Sequence, residues 1–202
     1  MIIADQLLAF GKEDLLEVSK TLNEEDISQL IKWLNEKDDK LRYHSLLLLG
    51  HRSEEYGDVY PYWDLLCEKL KSPNSYQRSI GVMLIAANAK WDKDDRMDST
   101  IDDYLKILGD KKPVTVRQCI QALSEIVTHK PNLQDKVSRE LMAIDILGVK
   151  PTMRKLILMD MLNILVLIRK SQNSEEIETY IFNALTGGLL DKKALKQIES
   201  VL

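Results

Sequence analysis

Leu66–Trp91 has the sequence LCEKLKSPNSYQRSIGVMLIAANAKW, and the rest of the chain repeats its pattern. Pro73 interrupts the stretch, because proline has no amide donor and clashes with the preceding helical turn. A second helix is expected to begin near Tyr76, and it carries apolar residues at helical spacings: Ile80, Met83, Leu84, Ala87 and Trp91. The stretch therefore predicts two helices joined by a tight turn.

Four arginines mark four copies of this pattern along the chain: Arg42, Arg78, Arg117 and Arg154. They are separated by 36, 39 and 37 residues, and each follows a turn that contains proline or aspartate. A fixed period in this range is typical of a helical repeat protein. Because the arginines recur in phase with the repeat, we expect them to be structural. They should bond turn carbonyls or acids between layers rather than a ligand.

The repeat resembles that of the HEAT-repeat family, within the armadillo-type class of α-solenoids. That family has Asp or Pro in the turn of each helix pair and Arg or Lys near the start of the second helix. The matching pairs are Asp38/Arg42, Pro73/Arg78, Pro113/Arg117 and Pro151/Arg154. The resemblance covers roughly Glu24 to Arg169. It implies an all-α fold, a right-handed α-α superhelix of about four to five helix pairs.

The same resemblance implies a single HEAT-like solenoid domain over residues 1–202. Four helix pairs would occupy residues 24–170, with N-terminal cap helices in 1–20 and C-terminal cap helices in 173–202. Thr21-Leu22-Asn23-Glu24 has the spacing of a capping box, which predicts a helix start there. Terminal helices that shield the outermost layers are what a solenoid needs for solubility.

Composition places the chain among globular proteins of a reducing compartment. With 202 residues and 45% apolar content it can bury a full core. Its two cysteines, Cys67 and Cys119, are 52 residues apart, which argues against a disulfide framework. The N-terminal segment does not resemble a signal peptide, and the longest apolar run, Leu156–Ile168, is too short to span a bilayer. We expect a soluble, cytoplasmic protein.

The charge distribution does not favour nucleic acid as a ligand. The chain has a formal net charge of −4, with −6 in residues 1–100 and +2 in residues 101–202. Nucleic-acid-binding proteins usually have a basic surplus that neutralises phosphates. We therefore expect no specific binding to duplex DNA at physiological salt.

No catalytic or metal-binding motif is found, and we predict no catalytic residue, metal or cofactor. The three histidines, His44, His51 and His129, lack the spacing of a metal site. Asp160 is the one ionisable residue that invites a functional interpretation, because it lies in the most apolar predicted helix. Burial would raise the pKa of its carboxyl, as in many catalytic acids. Alternatively, it lies on an exposed face or pairs with an arginine of the adjoining layer.

Four aromatic residues lie close together in the sequence: Tyr56, Tyr60, Tyr62 and Trp63. Aromatic side chains at helix starts commonly pack between layers. The alternative is a stacking platform for a base or a peptide, which would usually be surrounded by basic residues. No such basic set surrounds them, so packing is the favoured interpretation.

In HEAT-like solenoids the second helix of each pair lines the concave face, so polar residues on those helices are the candidate binding residues. They are His44, His51, Gln77, Asn88, Gln118, Gln121, Glu125, Asp160 and Asn163. Gln118, Gln121 and Glu125 share a helix face by spacing. This polar stripe would suit a polar or basic peptide better than phosphate. Alternatively, it is only the solvated side of each helix.

These observations predict a non-catalytic scaffold or adaptor that binds a protein or peptide on its concave face. The partner's identity stays open, and a homo-oligomer is possible. The alternative is a HEAT-like nucleic-acid-binding protein or DNA-alkylation-repair glycosylase, a class that uses tryptophans and an aspartate. Trp33, Trp63, Trp91 and Asp160 supply those residue types. A function like that of the HEAT-like bilin lyases is supported only by the repeat itself.

Overall fold

The computed structural model describes residues 2–202, and within that range it has twelve α-helices and no strand. The predicted all-α class is therefore confirmed, whereas the right-handed superhelix stays a prediction. None of the helices in this range is long and apolar enough to cross a membrane. The helices are α1 (Ala4–Ala9), α2 (Leu15–Lys20), α3 (Glu24–Trp33), α4 (Asp39–Glu55), α5 (Trp63–Leu70), α6 (Ser75–Ala87), α7 (Arg96–Leu105), α8 (Pro113–His129), α9 (Gln134–Met142), α10 (Pro151–Arg169), α11 (Glu175–Thr186) and α12 (Lys192–Glu199).

The chain divides into two compact units. One ends at Thr100 and the other spans Ile101–Leu202, so the division falls within α7. Each unit holds two of the four predicted repeat arginines. The assignment of a single solenoid domain stays a prediction.

Helix α3 begins at a capping box that differs from the predicted one. Asn23 is the N-cap, and its side chain accepts the Asp26 N–H at 3.0 Å. The Asp26 carboxylate accepts the Asn23 N–H at 3.1 Å and the Ile2 N–H at 2.5 Å. The prediction that Thr21 caps this helix is wrong, because its hydroxyl instead donates to Val18 at the end of α2. The Asp26 carboxylate therefore has two functions: it caps α3, and it binds the backbone of Ile2, 24 residues earlier in the chain.

Helices α5 and α6 form the pair predicted from Leu66–Trp91, and they approach each other closely at Gly81. A Cβ atom added to Gly81 would lie 3.1 Å from the Leu66 carbonyl oxygen and 3.2 Å from the Lys69 Cβ. Such contacts are tighter than ordinary van der Waals packing, so the absence of a side chain allows this approach. Helix α6 begins after Asn74, whose side chain accepts the Tyr76 N–H at 2.9 Å and caps it.

In the second unit, α8 and α10 pack along each other and form its centre. Helix α10 also contacts α9, α11 and α12, which explains why nine of its residues are buried. Both α8 and α10 begin with proline, at Pro113 and Pro151. Proline suits this position because the first helical N–H has no partner within the helix. The residue before each proline, Lys112 and Lys150, is the N-cap, so the two helix starts are alike.

Candidate functional site

Three of the four repeat arginines hold the turn that precedes their own helix. Each guanidinium donates to a backbone carbonyl five to seven positions earlier in the chain. The bonds join Arg42 to Glu36 at 2.8 Å, Arg78 to Ser72 at 2.7 Å, and Arg154 to Val149 at 2.8 Å and Leu147 at 2.5 Å. These carbonyls lie in turns, where the backbone has no helical partner. The three arginines therefore connect each turn to the helix that follows it.

Arg117 makes a different contact, with the acid of the neighbouring helix. Its Nε lies 2.6 Å from Oδ2 of Asp160 and its Nη2 lies 3.2 Å from Oδ1. The Gln121 amide donates to the same Oδ1 at 3.0 Å. Asp160 is 7% exposed, and its carboxylate thus receives three hydrogen bonds across the α8–α10 contact. This agrees with the interpretation of Asp160 as the partner of an arginine.

The two histidines of the predicted stripe lie on α4 and are partly exposed. The Nδ1 of His44 is 2.9 Å from the Lys40 carbonyl oxygen, one turn earlier. The Nδ1 of His51 is 3.0 Å from a carboxylate oxygen of Glu54. Both contacts are local to the helix and leave part of each ring accessible, so a binding role for these residues stays a prediction.

The two amides of the stripe on α6 are used inside the first unit. Asn88 has no exposed surface, and its side chain donates to the Ser53 hydroxyl at 3.0 Å and to the Leu84 carbonyl at 2.8 Å. The Gln77 amide donates to the Leu34 carbonyl at 2.7 Å and accepts from Lys69 at 2.5 Å. Asn88 therefore cannot contact a partner directly, and Gln77 has both polar ends engaged.

The remaining stripe residues on α8 and α10 are unevenly placed. Gln121, Glu125 and Asn163 are exposed. Gln118 is half-buried, and its Oε1 is buried without a hydrogen-bond partner among the described residues. Of these candidates, the structure brings Gln121 into contact with Asp160. Exposure is compatible with a binding role but does not distinguish it from an ordinary solvated helix face.

Within the predicted aromatic cluster, Trp63 is buried, whereas Tyr56 is exposed and its ring lies under the Arg52 guanidinium, 3.6 Å from the ring centroid. Trp63 is 1% exposed, and its Nε1 donates to the Thr100 hydroxyl at 3.1 Å. The ring of Tyr60 meets that of Trp63 edge to face, with 5.6 Å between the centroids. Trp91 donates through its Nε1 to the Ser53 carbonyl at 2.7 Å. A buried Trp63 cannot serve as an exposed stacking platform, which agrees with the packing interpretation.

The second unit has a cleft that the sequence did not predict as a site. Its volume is about 660 Å³, and it lies at the N-terminal ends of α8 and α10. The lining is mainly apolar and includes Leu108, Val116, Ile144, Val149, Met153 and Ile157. Clefts of this size with apolar walls commonly bind ligands or parts of partners.

Three lysines line this cleft: Lys111, Lys112 and Lys150. All three are exposed, and within residues 2–202 none of their ammonium groups takes part in an ion pair or hydrogen bond. The acid that lines the cleft, Asp110, accepts the backbone N–H of Lys112 at 2.8 Å. The N-terminal ends of two long helices add partial positive charge. The cleft therefore combines an apolar floor with a positive rim.

A sequence signal for the cleft exists in the Lys-Pro pairs at Lys112-Pro113 and Lys150-Pro151, which start two helices in the same way. The sequence does not show that the two starts share one cleft.

The structure also shows no group of three His, Cys, Asp or Glu side chains within residues 2–202 that could hold a metal ion.

Comparison with known proteins does not add a family. No protein-family model matches the chain, and no curated protein is significantly similar to it. The resemblance to the HEAT-repeat family rests on the repeat residues alone and stays a prediction. Function is therefore argued from the cleft and its charges.

Proposed function

We propose that the chain is a non-catalytic binding module for a protein or peptide partner. The partner segment carries one or two bulky apolar side chains next to Asp or Glu residues. The apolar side chains enter the cleft at the starts of α8 and α10, and the carboxylates face the three lysines of its rim. The observation that carries the proposal is the combination of an apolar floor with an exposed positive rim.

Charge complementarity favours an acidic partner over a basic one. Opposite charges across an interface speed encounter and fix register, whereas like charges facing each other cost free energy. The polar stripe of amides, acids and histidines predicts a polar or basic peptide, and Asp160 is one of its two acids, with Glu125. The Asp160 carboxylate is bonded to Arg117 and Gln121, so the stripe has less free negative charge than the sequence suggests.

The alternative of a DNA-alkylation-repair glycosylase has less support from the positions of the residues. Trp63 is buried and Asp160 receives three hydrogen bonds from neighbouring side chains. Neither residue is placed to contact a base. The lysine rim also suits phosphate, so binding to nucleic acid is one outcome of the experiment below.

The proposal predicts selective binding of an acidic apolar peptide. The probe is a fluorescein-labelled helical peptide built from leucine and glutamate, compared with the same peptide carrying lysine at each glutamate. Fluorescence anisotropy should give a Kd of the order of tens of micromolar for the acidic peptide and no binding for the basic one. The double variant Lys112→Glu/Lys150→Glu should weaken acidic-peptide binding at least tenfold, about 1.4 kcal/mol.

A matched control reverses a lysine charge elsewhere in the second unit. Lys170 is exposed at the C-terminal end of α10, whereas Lys150 precedes its first residue, so the length of this 19-residue helix, about 28 Å, separates them. The variant Lys170→Glu should change affinity less than about twofold, since charges farther apart than the Debye length are screened. Equal affinities for the two peptides, or equal losses in the two variants, would contradict the proposal. Binding to duplex DNA at about 150 mM salt that Lys112→Glu/Lys150→Glu abolishes would instead support a nucleic-acid function.

A further inference from the structure

Lys69 of α5 is a buried lysine whose ammonium donates hydrogen bonds to two neutral amides. It is 8% exposed, and its ammonium donates to Oδ1 of Asn35 at 2.7 Å and to Oε1 of Gln77 at 2.5 Å. Within residues 2–202, no carboxylate lies within ion-pair distance of it. Buried ammonium groups are normally paired with an acid, because removing an isolated charge from water is costly. This position therefore does not favour the charged form.

The two amide acceptors hold the amine in a defined place. The Gln77 side-chain N–H donates to the Leu34 carbonyl at 2.7 Å, so its oxygen is the end that faces Lys69. An amine has three donor positions when protonated. Two are directed at Asn35 and Gln77, and the third position can carry a proton or, in the neutral amine, the lone pair.

A pocket borders this lysine. Its volume is about 250 Å³, and Lys69 lines it together with both amide partners. The apolar part of the wall comes from Ile31, Leu65 and Leu66, and Glu68 and Ser72 complete the lining. The pocket therefore places a fixed amine beside an apolar surface that can hold a small hydrocarbon group.

Burial lowers the pKa of Lys69 to about 8. The negative charge of Glu68, on the same helix, acts to raise the pKa of Lys69. The groups that face Lys69 from the turn after α3 and from α6 are the neutral amides of Asn35 and Gln77. At pH 7.5 about a quarter of such an amine is neutral, compared with roughly one part in a thousand for an ordinary lysine. The neutral amine is the nucleophilic form.

We propose that Lys69 is a covalent binding site for a small apolar aldehyde, which it holds as an imine. The lone pair of Nζ attacks the carbonyl carbon and forms a C–N bond, giving a carbinolamine. The two protons of the amine leave with the carbonyl oxygen as one water molecule, and a C=N bond remains. The step is reversible and needs no oxidant or reductant. It uses the first unit alone and is independent of the peptide cleft.

Reductive trapping tests the site on the whole chain. The probe is 3-methylbutanal with sodium cyanoborohydride at pH 7.5, and peptide mass spectrometry measures the alkylation rate at each lysine. We expect Lys69 to be alkylated more than tenfold faster than exposed Lys192 and Lys193. Its rate should level off above about pH 8, whereas the rates of the exposed lysines should continue to rise toward pH 10.

Two variants separate the role of the amine from a change in folding. Asn35→Asp places a carboxylate beside Nζ and keeps the amine protonated, so the alkylation rate at Lys69 should fall at least tenfold at pH 7.5. Asn35 is exposed, and the control Asn173→Asp makes the same change at another exposed position. Lys69→Met should abolish the rapid alkylation event, with helicity checked by circular dichroism. An alkylation rate at Lys69 no greater than at Lys192, or an unchanged rate in Asn35→Asp, would overturn the proposal.

Discussion

Replacing Trp63 by alanine is expected to lower the free energy of unfolding by about 3–5 kcal/mol, the range for removing a buried aromatic side chain. The Trp63 ring is 1% exposed and meets Tyr60 edge to face. Its Nε1 also donates to the Thr100 hydroxyl, a bond that alanine cannot make. Chemical denaturation followed by circular dichroism measures the loss. Since the chain has two compact units, the transition should be fitted for separate steps.

Two further variants show which part of Trp63 matters. Trp63→Phe keeps most of the packing and loses the bond to Thr100, so it should cost about 1–2 kcal/mol. Leu65→Ala on the same helix removes a side chain that is 48% exposed, and its effect should stay within about 0.5 kcal/mol. A loss below about 1 kcal/mol for Trp63→Ala would contradict the packing role. It would reopen the possibility that this ring serves as a stacking surface.

Removing the guanidinium of Arg117 is expected to destabilise the second unit by about 2–3 kcal/mol. In Arg117→Ala the Asp160 carboxylate stays buried and keeps only the Gln121 amide as a side-chain partner. A charge left buried without its counter-charge is costly, and partial access of solvent to the Arg117 side chain reduces the loss below that of a fully buried pair. Urea denaturation of the variant and the parent measures the difference.

A double-mutant cycle isolates the ion pair from other effects of the substitution. Asp160→Leu alone leaves Arg117 without its acid, and in the combined variant both charges are absent. The coupling energy should exceed about 1 kcal/mol, as expected for residues in direct contact. Arg139→Ala is the control, because Arg139 is exposed on α9 and its loss should cost less than about 0.5 kcal/mol. A coupling energy near zero would show that the pair does not hold α8 against α10.

The cleft and the Lys69 pocket suggest that the two units have separate chemistry. The cleft lies within the second unit and binds, in our proposal, an acidic segment through charge and apolar contact. The Lys69 pocket lies within the first unit and depends on an amine that burial keeps partly neutral. The charge-reversal variants and the alkylation assay can therefore fail independently of each other.

Local pattern was enough to predict the all-helical class and the starts of several helices. Ile27, Leu30 and Ile31 have helical spacing, and all three are buried in α3. Pro113 and Pro151 predicted breaks between helices, and they begin α8 and α10. These features depend on residues within one or two turns of each other, where helical periodicity and the missing proline amide act directly. Even so, the cap of α3 lies two residues later than predicted, because Asn23 and Asp26 form the reciprocal capping bonds expected of Thr21 and Glu24.

The contacts that define the sites depend on residues far apart in the sequence, and only the tertiary structure shows them. Asp160 meets Arg117 across 43 positions, and Lys69 meets Asn35 across 34. The sequence alone determined that the chain is all-helical and that arginines recur with the repeat. Packing decided that Asn88 is buried, that the Lys112 and Lys150 helix starts share one cleft, and that Lys69 has only amide partners. Charge, exposure and pKa depend on these neighbours, and the amino-acid pattern of a single helix does not specify them.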